Sequence, residues 1–267
     1  MSRYLRLWQG LLLVGIFVLW QVLAQPNLLP PIVWDNPHRA AFFFGEPLKI
    51  FKVVWGWFSG GAIYQHLWVT LQETALAFVI GSVLGLAVGL WLGLSPTASA
   101  LFDPYITAMN AMPRVVLAPI FMVWFGLGIW SKVALGVTLV FFIVFFNVYQ
   151  GVKEVSPVVL NNVVMLGANR RQLLRFVYLP SATSWLFSSL HTSVGMAFVG
   201  AVVGEYLGSA RGVGYLIQQA EGAFDINTVF AGILVLTAFA LVLDFAVGRV
   251  ERRLLVWRPT QGETEHL

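Results

Sequence analysis

Several ionisable side chains sit inside long apolar runs, where a charge is costly and needs a partner or water. Arg114 follows Pro113 directly, about 14 residues into the apolar run 100–125. At roughly 1.5 Å per residue, a helix there would place it near the middle of a membrane. Two readings of Arg114 stand. It lines a polar pathway and attracts an anionic solute, or it pairs with a carbonyl freed by Pro113 or Pro119. Glu73 lies among Thr70, Gln72 and Thr74, Glu205 lies near the end of a later apolar run, and Lys132 heads another. Each Glu suits pairing with Arg114 or Lys132, or an aqueous cavity. Asn110, Asn147, Gln150, His191, Thr192 and Ser193 are further hydrogen-bonding groups for such a pathway. A lone His such as His191 reads equally as a packing residue with one partner. Asp103 and Asp244 read as helix caps or as partners of the arginines that follow the last apolar run.

Other chemistries lack their residues. Cysteine is absent and the four histidines are His38, His66, His191 and His266. No His-Glu-x-x-His, Gly-x-Ser-x-Gly or paired-aspartate motif occurs, and no metal site is expected. A phosphate-binding loop of the form G-x-x-x-x-G-K-[ST] is missing too; the nearest approach, 126–132, has Ser131 at the second glycine. The chain is therefore not read as an enzyme, and any ATP hydrolysis belongs to another subunit.

The elements that must hold these groups are membrane helices. Of 267 residues, 58% are hydrophobic and 10% charged, against roughly 25% charged in an average soluble domain. Mean hydropathy is +0.80. This excludes a disordered chain, a nucleic-acid module and an ordinary cytosolic enzyme. It fits an all-α polytopic membrane protein, whose backbone bonds close within each segment. A span needs about 20 mainly apolar residues. Six runs qualify: 5–24, 67–94, 100–125, 133–152, 181–207 and 229–250. The third carries Pro104, Pro113 and Pro119. The first resembles a secretory signal, with Arg3 and Arg6 ahead and Val-Leu-Ala at its end, but its length favours an uncleaved helix.

Six spans put both termini on one side. With the N-terminus inside, the cytoplasm receives Arg3, Arg6, Lys153, Arg170, Arg171, Arg175, Arg249, Arg252, Arg253 and Arg258. The exterior receives Arg39, Lys49, Lys52, Lys132 and Arg211, a bias of ten to five that sets this orientation. The net charge of +4 has the same origin. Exterior loops are then 25–66, 126–132 and 208–228, and 153–180 is the large cytoplasmic loop. The first loop is apolar at 42–44 and 51–57, as an interfacial helix would be. Trp55, Trp57, Trp68 and Trp130 suit an outer aromatic belt.

Glycines recur every fourth residue at Gly81, Gly85, Gly89 and Gly93, and again at Gly200, Gly204 and Gly208. That spacing lines one helix face and admits close backbone approach. Packing within the chain, a sliding contact and a dimer seam all suit it.

The loop 153–180 carries two helix signals. Ser156 with Pro157 starts a helix that ends near Gly167. Asn169 caps a second, with Gln172 completing a capping box, and Leu179-Pro180 ends it or sets its junction with the next span. A surface helix on lipid headgroups is the other reading of this stretch.

Here the sequence resembles a family. Gly167 followed twelve residues later by Leu179-Pro180 resembles the cytoplasmic signature of ATP-binding cassette (ABC) importer permeases. The usual Glu-Ala-Ala is replaced by Asn161, Asn162 and Val163. The stretches 112–126 and 146–152 resemble the nitrate/sulfonate/taurine-type subgroup, as do Gly128 with Lys132, 203–217, 230–235 and 251–257. The likeness runs from about His66 to Trp257.

The resemblance implies a type I ABC importer permease fold of about six helices. It implies one permease domain over 1–267: a first helix and exterior loop to 65, core helices 66–250, and a cytoplasmic tail 251–267. In such a system the loop containing Asn161, Asn162, Val163, Gly167, Asn169, Arg170, Arg171, Leu179 and Pro180 docks on an ATPase. The implied partners are two ABC ATPase subunits, an exterior or periplasmic solute-binding protein and a second permease copy in the bilayer. ATP and Mg lie on the ATPase, no cofactor on this chain, and no nucleic acid is involved. The implied place is a bacterial inner membrane with both termini cytoplasmic. The implied cargo is a small anion such as nitrate, a sulfonate or taurine, with a heterocyclic nutrient or an ion-coupled carrier as alternatives.

Overall fold

The computed structural model describes residues 2–24 and 39–254. The expected tail beyond 254, with Trp257, Arg258 and His266, lies outside the described residues, as do His38 and residues 25–37 of the first loop. Among the described residues every regular element is a helix. They are α1 (Ser2–Leu23), α2 (Arg39–Phe44), α3 (Pro47–Ser59), α4 (Ala62–Leu94), α5 (Pro96–Ala111) and α6 (Ala118–Phe125). Then follow α7 (Ile129–Lys153), α8 (Pro157–Met165), α9 (Arg170–Leu173), α10 (Leu179–Ser188), α11 (Leu190–Leu207), α12 (Val213–Gly222) and α13 (Ile226–Leu254).

Four of these, α4, α7, α11 and α13, are long and apolar enough to cross a membrane. If α5 and the segment Arg114–Phe125 form one broken span, these helices account for five of the six expected spans. That pair is bent by 87°. Pro113 stands at the break and Arg114–Leu117 forms a 3-10 turn, because proline removes a backbone donor and its neighbour leaves the α region. Helix α1 carries the first expected span: its described apolar stretch, Leu7–Leu23, lies within the roughly 17–25 residues that a span needs. The expected span 181–207 is interrupted at Ser189, whose N–H turns back to Leu186 O at 3.0 Å.

The chain divides into two compact units, 1–68 with 211–238 and 69–210 with 239–267. In the first, Phe17 of α1 packs on Phe51 of α3 with ring centroids 5.5 Å apart, and Trp20 packs on Phe230 at 5.3 Å. Trp20 Nε1 donates to Phe44 O at 3.0 Å, and the Glu46 N–H donates to Asn227 Oδ1 at 2.8 Å. Helix α3 buries Ile50 and exposes Leu48, Phe51 and Trp55, an apolar face suited to the membrane interface. His66 Nδ1 accepts the Gly212 N–H at 3.1 Å.

The second unit is organised around α7. Glycines of α4 meet valines of α7 rung by rung: Gly81 on Val140, Gly85 on Val144, Gly89 on Val148 and Gly93 on Val152. A Cβ added at any of the four would lie 2.7–2.9 Å from the facing valine Cβ. Both series repeat every four residues, so two helix faces of matching pitch mesh along their length. Helix α11 approaches α7 the same way. Gly200 lies on Gly136, Gly204 on Lys132, and Gly208 on Met122 of α6. These contacts are within the chain, between helices of one unit. Helix α10 joins the far end of α7, where Trp185 covers Gly151 and Ser181 Oγ donates to Gly151 O at 2.7 Å.

Candidate functional site

The loop after α7 folds into two helices with a sharp corner. Pro157 opens α8, and Ser156 occupies the cap position but makes no side-chain cap bond, contrary to expectation. The helix stops at Gly167, whose φ of +84° suits a residue without a Cβ. The Ala168 N–H reaches back to Val163 O at 3.2 Å and the Gly167 N–H to Val164 O at 2.9 Å. Asn169 and Gln172 then form a complete capping box, at 2.8 and 2.9 Å. The corner displays Val164, Met165 and Leu166, the last two 84% and 87% exposed. Asn161, Asn162, Asn169, Arg170 and Arg171 are exposed around it, and Val163 is half-buried. Large apolar side chains projected this far need a covering partner.

Leu179-Pro180 does not end the second helix. The chain passes from α9 through a π-helical turn, Leu174–Tyr178, directly into α10. Pro180 has no N–H for the carbonyl four residues back, and the Leu179 N–H bonds to Leu174 O instead. The loop is thus continuous with the span that follows it.

Away from the loop, three sequence candidates converge in the second unit's core. Lys132, Glu73 and Glu205 are each at most 1% exposed. Glu73 and Glu205 are hydrogen-bonded to each other, with Lys132 acting on both electrostatically. Thr70 Oγ1 donates to Glu205 Oε1 at 2.6 Å. Lys132 Nζ donates to Leu127 O at 2.5 Å and Gly128 O at 3.0 Å, the carbonyls of the turn ahead of α7. One ammonium thus serves as the hub of three helices and a turn. Of the two cations offered by sequence alone, Lys132 is the one that acts on Glu73; its hydrogen-bond partner is Glu205, and its Oε2 is buried without one. Thr70 was not singled out as Glu205's partner, because their contact depends on the register between α4 and α11.

Arg114 stands apart from that cluster, at the elbow between α5 and α6. Its guanidinium lies over the Phe142 ring at 4.5 Å, and Nη2 donates to the side-chain and main-chain oxygens of Asn110, the latter at 3.1 Å. Its Nε is buried without a partner. Asn147 turns inward on its own helix, donating to Ile143 O at 2.8 Å.

His191 has two partners rather than one. Nδ1 lies 2.9 Å from Asp244 Oδ1 and Nε2 lies 2.7 Å from Glu251 Oε2, both on α13. Asp244 is therefore paired with a histidine. With both nitrogens occupied, His191 has no ring donor left for a solute. A sequence signal existed: Asp244 and Glu251 are seven residues apart, on one face of a helix.

Comparison with known proteins agrees with this architecture. Residues 81–256 match the family described as binding-protein-dependent transport system inner membrane component. The chain is 32% identical to the taurine transport system permease protein TauC of Escherichia coli, over 96% of this chain and 91% of that one. It is 31% identical to the formylaminopyrimidine transport permease protein ThiX of Halalkalibacterium halodurans, over 92% and 94%. Its fold is similar to a chain of the inward-facing MetNI methionine ABC transporter, with a TM-score of 0.63 over 72% of this chain and 95% of that one, at 18% identity. The chain belongs to the inner-membrane components of binding-protein-dependent transport systems, and is the permease component of an ABC importer.

Proposed function

We propose that two copies of this chain form the membrane pathway, driven by two ATPase subunits that bind ATP and Mg and supplied by an exterior solute-binding protein. The observation that carries this is the exposed corner Val164–Met165–Leu166 between α8 and α9, held by the Gly167 turn and the Asn169–Gln172 capping box. The corner seats in a groove of the ATPase, ringed by Asn161, Asn162, Arg170 and Arg171. Both termini and this loop face the cytoplasm of a bacterial cell, on the ten-to-five charge bias. ATP binding and the loaded solute-binding protein favour different states of the pathway, which is what permits alternation.

The cargo is a small anion such as a sulfonate or taurine. Support comes from Arg114, clamped by Phe142 and Asn110 with donors unspent, and from the likeness to TauC. The likeness to ThiX favours a second reading, a heterocyclic nutrient. Gentle solubilisation of the chain from its own membrane, with identification of what co-purifies, tests the assembly. An equimolar P-loop ATPase is expected. Recovery of the chain alone, with uptake persisting without ATP, would favour an ion-coupled carrier instead.

A further inference from the structure

We propose that His191 is a positioning residue that fastens α11 to the C-terminal half of α13, so that movement delivered by the α8–α9 loop shifts both helices as one body. The proposal rests on the importer reading. The chain runs without a gap from α9 through the π-helical turn and α10 to the interruption at Ser189, and His191 comes two residues later. Helix α10 is held to α7 by Ser181 and Trp185. His191 then ties the start of α11 sideways, with Nδ1 at 2.9 Å from Asp244 and Nε2 at 2.7 Å from Glu251. Asp244 and Glu251 are the charged groups that act on it among the described residues.

Two features suit a mechanical tie rather than packing. Asp244 and Glu251 lie two turns apart on α13, so the ring spans a length of the helix and resists both sliding and rotation. Gly248 lies between them, and a Cβ there would sit 3.3 Å from His191 Cε1, so the imidazole rests against bare backbone. Both bonds to carboxylates are made at once only when each ring nitrogen carries a hydrogen. A side chain with a single donor group on one arm cannot span the two.

The test uses the complete transporter in liposomes, with its ATPase and binding protein, and taurine as the probe solute unless uptake identifies another. The readout is solute taken up per ATP hydrolysed. For His191→Gln this yield falls about fivefold or more, the lower end of ordinary coupling between sites. His191→Arg, whose guanidinium offers several donors in a planar fork, recovers most of it. A purely structural role would lower the amount of assembled complex, and uptake and hydrolysis together, leaving the yield unchanged; that result overturns the proposal. If His191→Gln fails to assemble, Asp244→Ala with Glu251→Ala decides, since neither alanine can bond the ring. The same fall in yield supports the tie, and a wild-type yield overturns it. Failure of the wild-type chain to bind any ATPase would instead sink the importer reading.

Discussion

Lys132 of α7 runs its side chain across the bare backbone of Gly204 of α11. A Cβ at 204 would lie 2.8 Å from Lys132 Cγ. The glycine thus makes room for the stem whose ammonium holds the carbonyls of Leu127 and Gly128. Gly204→Ala would push the lysine off these acceptors and force the two helices apart. The expected loss is about 1–3 kcal/mol, as for other overpacked cores. Thermal unfolding of the purified chain in detergent measures it; an unchanged midpoint would show that the close approach is unimportant.

Lys132→Met should cost more. It takes the donor from two carbonyls and removes the cation beside Glu73 and Glu205, whose side chains are closed to water. Removing one partner from a buried charged set costs about 3–5 kcal/mol. Adding Glu73→Gln and Glu205→Gln to Lys132→Met should restore part of it, because no buried charge is then left over. If the triple variant is less stable than Lys132→Met, the cluster is not an electrostatic unit.

The glycine ladder of α4 gives a positional prediction. Gly85→Ala should destabilise more than Gly15→Ala, since a Cβ at 85 would meet Phe141 O and Val144 Cβ at 2.8 Å and one at 15 meets nothing within 4 Å. Val144→Ala should not rescue Gly85→Ala, because the clashing atoms are backbone and Cβ. Unfolding midpoints of the three variants settle this directly.

Local signals were legible in the sequence, and cross-helix pairings were not. Asn169 and Gln172 announce their capping box by type and spacing, and Gly167 announces its left-handed turn. Pro113 marks the break between α5 and α6, yet nothing in the hydropathy of 100–125 fixes the bend at 87°. Glu73 and Glu205 were visible as charges in apolar runs, but their bond depends on the register of α4 against α11. His191 reads as a lone imidazole until α13 brings Asp244 and Glu251 to it from 53 and 60 residues away. Apolar composition likewise does not reveal that α5 and the segment Arg114–Phe125 are separate helices.

Arg114→Gln should lower anion uptake about tenfold, a loss of roughly 1.4 kcal/mol of attraction, with little change in a heterocyclic cargo. Arg114→Lys should fall between, because an ammonium keeps the charge but loses the planar stacking on Phe142. Equal uptake by all three proteins would remove Arg114 from the pathway and leave it as an elbow clamp between Asn110 and Phe142.

The absence of cysteine allows the most direct test of the central claim. A single Cys at Leu166, carrying a photoactivated cross-linker, would report what covers the exposed corner between α8 and α9. The account predicts an adduct with a P-loop ATPase, formed in native membranes and lost when Gly167→Val distorts the corner. A Cys at Leu127, exposed in the exterior loop 126–132, should give no such adduct. Cross-linking of Leu166 to lipid alone would contradict the account.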